Sequence, residues 1–319
     1  MFVYVILLIY NVLYNNTFLQ MSLIKRFTGY SNTPALWKSN SIQELNQFNI
    51  PLNKNDEPKP SFTNVHLRLG KLVEQFVFLQ LEALQSIQMI AKNLQIIQDK
   101  ITIGELDCVF KYLQDYIHLE IVYKFYLYDD EFSENELDNW IGPNRKDSLR
   151  FKLDKLKNKQ LPLLDHATTK EILNDLSLCH QDISSKVLFK AQLFIPKNCA
   201  GMVFEKINNE CVIGYYMGMA EFKKRTNCEF YMPNKLDWLI IPHKGVEWLW
   251  QRLKQLLTTL RSVLARSKPV LNLYKQYNGV IKTISCIQLI LVLFSWILTM
   301  VQIPVSIRWQ VLGYHIQYL

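Results

Sequence analysis

GELDCVFKYLQDYIHLEIVYKF, residues 104–125, decides how this chain is read. Two strand-like runs flank a short polar connection, and side chains on a strand alternate between its faces. From His118 the second run sorts into an apolar face of Leu119, Ile121, Tyr123, Phe125 and Leu127 and an opposite face of His118, Glu120, Val122 and Lys124. In the first run the same alternation predicts Glu105 and Asp107 together, with Leu106, Cys108 and Phe110 opposite. Two neighbouring strands would then pool carboxylates and a lysine on one surface. A solvated face of an antiparallel sheet is the plain alternative, and the residues upstream weigh against it.

Those residues predict an amphipathic helix. Val65, Leu69, Leu72, Val73, Phe76, Ala83, Leu84 and Ile87 recur at spacings of three and four, so a helix is expected from Val65 to about Ile87. Within it Glu74 has Gly70, Val77, Phe78 and Leu81 as helical neighbours, an acid among apolar or absent side chains. Burying a lone carboxylate is costly unless something compensates it. Three or four acids converging with one lysine leave negative charge unpaired, and a hard divalent cation with oxygen ligands, Mg²⁺ or Mn²⁺, resolves that excess. Such an ion beside a lysine suits phosphodiester hydrolysis: the ion polarises the phosphate and acidifies an attacking water, and the lysine positions or activates the nucleophile.

The order of these features resembles the PD-(D/E)xK nuclease superfamily: Glu74 on a helix, GELD with Asp107, then HLEIVYKFYL with Glu120 and Lys124. More closely, LGKLVE, TIGELD, HLEIVYKFYL and WIGPNRKDSLRFKLDKLKNKQL are similar to the bacterial family DUF1853, itself nuclease-like, over roughly Met21 to Tyr277. The resemblance implies an α/β (α+β) fold with a restriction-endonuclease-like mixed sheet flanked by helices, plus a C-terminal β-rich region and a long helix. It also implies a divalent metal on Asp107 and Glu120 with Glu74 nearby, and a site that includes Lys152 and Gln160. The superfamily pattern places the acid two residues before the lysine. Here that residue is Val122, while Glu120 lies four before Lys124, about 7 Å further along the strand. Either Glu120 reaches the metal from there, helped by Glu105 or Glu74, or the site binds metal poorly.

A nucleic-acid partner is expected from charge. Lys and Arg number 36 against 28 Asp and Glu, a net charge of +8, which suits an anionic partner, nucleic acid or a membrane surface. Arg145, Lys146, Arg150, Lys152, Lys155, Lys157 and Lys159 cluster on what reads as one basic helix opened by Pro143 and Asn144, with Asn144 as its cap. A solvated helix face is the alternative for any one of them. Lys152, Gln160, Arg145 and Lys146 are the candidate substrate contacts, with His118 either a phosphate contact or a hydrogen-bonded structural histidine. The six cysteines show neither zinc-ligand spacing nor a disulfide framework, so reduced thiols in the cytoplasm are expected. Walker, dinucleotide and nucleophile-elbow motifs are absent from the sequence.

Along the chain, residues 1–20 form a charge-free extension for which Met21 is the expected true start. Residues 21–64 read as a helical and loop segment, 65–165 as the nuclease-like core, and 166–278 as the C-terminal elaboration. That elaboration includes strand-like VLFKAQLFIP, CVIGYYMG and LDWLIIP and a helix from about Gly245 to Ser267. Residues 279–319 contain a charge-free run, Thr283 to Ile307, long enough to span a bilayer, and read as a tail anchor or a frameshifted end. The expected function is metal-dependent hydrolysis of DNA or RNA. A catalytically degenerate nucleic-acid-binding protein and a membrane-attached protein are the alternatives.

Overall fold

The computed structural model describes residues 20–38, 41–51, 58, 60, 67–143, 145–218, 221, 229–230, 233–240 and 251–252. Chain order is α1 (residues 20–32), the short pair β1 (Ser41–Ile42) and β2 (Leu45–Asn46), α2 (Leu69–Glu82), β3 (Ile87–Gln98), β4 (Ile101–Tyr112), β5 (Asp115–Tyr128), β6 (Trp140–Ile141), α3 (Leu149–Lys155), α4 (Ala167–Asp175), β7 (Ile183–Pro196) and β8 (Val212–Tyr216). A last pair, β9 (Glu229–Phe230) and β10 (Gln251–Arg252), follows.

One mixed sheet organises these elements, in the order β3-β4-β5-β7-β8 with β6 beside β5. β3, β4 and β5 are antiparallel neighbours because tight turns join them; β5, β7 and β8 are parallel and need crossovers. The crossover from β5 to β7 carries α3, a π-helical turn at Leu156–Gln160, a 3-10 turn at Leu161–Asp165, and α4. β7 is apolar on both faces, as a strand covered on both sides must be: Leu188 packs toward α2, while Val187, Phe189 and Ala191 pack toward α3.

Two layers of helix close the faces. Leu23, Phe27 and Tyr30 of α1 and Leu72, Val73, Phe76 and Val77 of α2 cover one face, over Cys108, Phe110, Leu119 and Tyr123. Leu149 and Leu153 of α3 meet Val122 and Tyr126 on the other, and Leu164 and Leu173 meet Leu106 and Val109. Gly104 belongs to that second contact: a Cβ there would run into Leu163 Cδ2, so the glycine lets the 3-10 turn press onto β4.

The mixed α/β architecture matches the sequence expectation, with local corrections. α2 ends at Glu82 and Ile87 already belongs to β3, because the turn through Ala83–Ser86 separates them. The basic helix begins only at Leu149. Ser148, whose Oγ accepts from Phe151 N at 3.2 Å, is its cap. The GPNRKD segment before it is a turn closed by Gly142 N donating to Asp147 O at 2.7 Å; Asn144 lies outside the described residues. LDWLIIP is not a strand, since Lys235–Leu239 forms a 3-10 turn. Gln251 and Arg252, expected in a long helix, pair as a strand with Phe230 and Glu229; the remainder of that expected helix lies outside the described residues. VLFKAQLFIP and CVIGYYMG do supply strands, β7 and β8, and both lie in the same sheet as the core strands. Among the described residues no helix is long and apolar enough to cross a membrane; Thr283–Ile307 and residues 1–19 lie outside them.

Candidate metal centre at a fork in the sheet

The sheet forks at its centre. β4 and β5 pair from Tyr112↔Asp115 to Cys108↔Leu119 and no further. Beyond that point β4 continues beside β3 to Ile101, and β5 continues beside β7 to Leu127. Asp107 and Glu120 are the first residues past the split. Asp107 Oδ2 accepts from the backbone N–H of Ile121 at 2.8 Å, so a carboxylate takes a β5 donor that the diverging strand leaves behind.

The strand alternation slips here. Leu106 and Val109 pack on the α4 face, whereas Cys108 and Phe110 join the α2 cluster. Asp107 also lies beside α2, so Asp107 and Cys108 are consecutive residues on one side. The predicted grouping of Leu106 with Cys108 and Phe110 is therefore corrected: a local irregularity at the fork returns the core residues to the α2 face after the two acids have used it. β5 keeps its alternation, with Leu119 and Tyr123 toward α2 and Val122 and Tyr126 toward α3.

On the α2 side, carboxylate oxygens of Glu74, Glu105 and Asp107 lie within 4.8 Å of one another. Glu74 is not surrounded only by apolar groups. Lys71, one turn earlier, donates to Glu74 Oε2 at 2.6 Å and Glu105 Oε1 at 2.7 Å, and to Asn93 Oδ1 at 3.0 Å. Asn93 sits in the left-handed region (φ 49°) at the middle of β3, a conformation that asparagine tolerates. Burial works against the Lys71 ammonium, but hydrogen bonds to Glu105 and Glu74 hold its pKa above the ordinary value. Burial raises Glu74, against the pull of Lys71. Asp107 is pushed up to about 8, first by burial and then by the neighbouring Glu120, with the Ile121 N–H opposing.

On the α3 side the acid itself is enclosed. Glu120 and His118 have fully buried side chains. Glu120 Oε1 lies 3.3 Å from His118 Nε2, and His118 Nδ1 lies 3.2 Å from Ser185 Oγ. Gln160 Nε2 donates to Glu120 Oε2, and Lys152 Nζ donates to Gln160 Oε1 at 2.7 Å. A carboxylate at Glu120 assigns the ring proton to Nε2 and leaves Nδ1 to accept from Ser185. Along an uninterrupted α-helix Gln160 would stand about 80° around from Lys152. The wider π-helical turn takes up that difference and brings both to the fork. Burial lowers Lys152 to about 8, opposed by Glu120 and assisted by Lys124.

The predicted residues are thus divided. Asp107, Glu74 and Glu105 form the cluster that could hold an ion, while Glu120 stands across the fork in hydrogen bonds of its own. Lys124 is engaged by Asp147 Oδ2 at 2.5 Å, on the α3 side. Arg145 pairs with Asp129 at 3.1 Å, and Lys146 is exposed on the same turn. His118 is buried and anchors Glu120 instead of facing a phosphate. Lys71, Asn93 and Ser185 were not singled out in the sequence. Lys71 was discoverable from its i,i+3 spacing to Glu74; nothing local marks Asn93 or Ser185, which the sheet register brings in.

The sequence profile of a domain of unknown function, DUF1853, matches residues 20–282. The chain belongs to the DUF1853 family. No curated protein and no solved structure matches it. The DUF1853 match takes in α2, β3, β4, β5, α3, the π-helical turn and β7, every element that supplies a residue to the fork.

Chemically, the donor set fits a hard divalent ion, because every candidate ligand atom is a carboxylate oxygen. The balance of groups is consistent with the fit: Glu74, Glu105 and Glu120 face Lys71 and Lys152, Asp107 beside them holds a proton that a bound ion would displace, and Lys124 is taken up by Asp147.

Proposed function

We propose that this DUF1853 protein is a metal-dependent, nuclease-like hydrolase of phosphodiester bonds in DNA or RNA, acting in the cytoplasm. The observation that carries the reading is the convergence of Glu74, Glu105 and Asp107 at the sheet fork, with lysines on both sides. The resemblance of the helix, GELD and HLEIVYK segments to the PD-(D/E)xK superfamily supports it. Glu74, Glu105 and Asp107 would hold Mg²⁺ or Mn²⁺, which when bound supplies Lewis acidity toward phosphate and water.

The chain's own groups do the rest. Asp107 is oriented by the Ile121 N–H, so its second oxygen stays directed by the backbone of β5. Glu120 is a positioning residue: through Gln160 it fixes the Lys152 ammonium at the fork. Lys152 and Lys124 place cationic groups on the α3 side, where an anionic backbone gains from them. The exposed Lys155, Lys157 and Lys159 extend that charge along the crossover.

The test incubates the full-length protein with single-stranded, double-stranded and branched DNA and with RNA, in Mg²⁺, Mn²⁺ or EDTA. Cleavage that EDTA, Asp107→Ala and Glu74→Ala each abolish is the expected result. A second reading, nucleic-acid binding without cleavage, is favoured by one observation: Lys124, at the superfamily lysine position, is bonded to Asp147 instead of facing the carboxylates. Salt-sensitive binding with no cleavage in either metal would select it.

A further inference from the structure

We propose that Lys71 is a built-in counter-cation of the carboxylate set, which a divalent ion must displace in order to bind. The inference rests on the metal reading of Glu74, Glu105 and Asp107 and adds what controls their occupancy. Lys71 Nζ makes three short contacts, 2.6 Å to Glu74, 2.7 Å to Glu105 and 3.0 Å to Asn93 Oδ1. An ammonium group has three donors, so all of them are satisfied by oxygens at this one point. Two of the three carboxylates that can ligate an ion already share this tethered cation. A divalent ion among the same oxygens would meet the ammonium at contact range, where like charges in a partly shielded site repel strongly.

Position allows the exchange. Lys71 is the third residue of α2, and its side chain is 44% exposed. It can therefore swing to solvent without disturbing Leu72, Val73 or Phe76, which hold the helix to the sheet. The backbone turn at Asn93 points the same way. A left-handed asparagine inside a twelve-residue strand presents its carboxamide oxygen to Lys71, so β3 and α2 together build the seat for this cation. In the metal-free protein the tether holds like-charged groups together; in the metal-bound protein it is the group that must leave.

The experiment titrates Mn²⁺ into full-length wild type, Lys71→Met, Lys71→Gln and Lys71→Arg, reading heat of binding and loss of free Mn²⁺ signal. Circular dichroism checks that each protein is folded. Lys71→Met and Lys71→Gln are expected to bind Mn²⁺ at least about tenfold more tightly, about 1.4 kcal/mol, while Lys71→Arg stays near wild type. Uptake by the two neutral variants where wild type shows none supports the proposal equally. Unchanged or weaker binding in folded Lys71→Met and Lys71→Gln overturns it. If wild-type binding is then still abolished by Asp107→Ala, the metal reading stands alone; if no protein takes up Mn²⁺, both fall together.

Discussion

The two sides of the fork solve the same problem in opposite ways. On the α2 side, Glu74, Glu105 and Asp107 crowd together, and the first two are held directly by an ammonium whose side chain is 44% exposed. On the α3 side, one carboxylate, Glu120, is fully buried and touches no cation; an imidazole and a carboxamide donate to it, and Lys152 stands one hydrogen bond further out. Direct pairing at a half-open surface leaves ligands free to exchange. A closed chain of donors in a dry interior fixes geometry, because each member loses its partner if any other moves. The acids nearest in sequence to the lysine motif are therefore not equivalent: Glu120 is enclosed by hydrogen bonds of its own, and the candidate ligand cluster lies across the strand from it.

Removing one acid from each half should break the symmetry most visibly. Glu120→Ala leaves Gln160 Nε2 and His118 Nε2 without an acceptor in a buried site, and is expected to lower unfolding free energy by about 3 kcal/mol. Glu105→Ala, with Lys71 still bonded to Glu74, should cost under about 1 kcal/mol. Urea unfolding midpoints with unchanged slopes read both, and equal losses would erase the distinction.

A pH series probes the point where the halves meet. Asp107 is pushed up to about 8, by burial and then by Glu120. The folded protein therefore keeps a proton that the unfolded chain has released. Stability present below the unfolded value is lost as pH rises from about 4 to about 8. In EDTA the wild type should lose at least about 1 kcal/mol from this group across that window. Asp107→Asn should remove that part of the slope and be the more stable protein at pH 8. Lys152, lowered to about 8 by burial, acts in the next window: its unfavourable contribution is relieved as pH rises from about 8 toward its ordinary value. Cutting its link with Gln160→Leu strands Glu120 Oε2 and the ammonium, at about 2 kcal/mol by the same unfolding assay.

Much of this was legible before any coordinates. Period-two alternation sorted β5 correctly, because a strand paired on both sides along its first half has no freedom to slip. The same rule failed in β4 at Asp107, where the lost pairing with β5 lets the strand place two consecutive residues on one side. The acids were found from residue type and spacing, and alternation correctly put Glu105 with Asp107. The separation of Glu120 from Glu74, Glu105 and Asp107 was not legible, since which face meets which helix is decided by the β5–β7 crossover and not by either strand alone. Lys71 is masked in the sequence by the apolar residues that surround Glu74 on the same helix, although its i,i+3 spacing marks the pair. Asp147, Asn93 and Ser185 come from separate loops and strands, and only the fold brings them in.

The smallest expected effect concerns Lys124, the residue the sequence marks most strongly. Its bond to Asp147 is partly exposed, with the two side chains 36% and 24% accessible, so Lys124→Ala should move stability by no more than about 0.5 kcal/mol. If Lys124 serves as a phosphate contact on the α3 side, the variant should also bind nucleic acid more weakly, with a salt slope shallower by about one ion. Asp147→Ala sharpens the inference, because it frees the ammonium from its partner and should move binding the other way. A Lys124→Ala protein that loses all cleavage while binding at full strength would instead put Lys124 at the reacting centre. The working half of the fork would then have to include the α3 side, and the division between an exchangeable site and a fixed framework would fail at the strand position where the sequence first suggested the lysine.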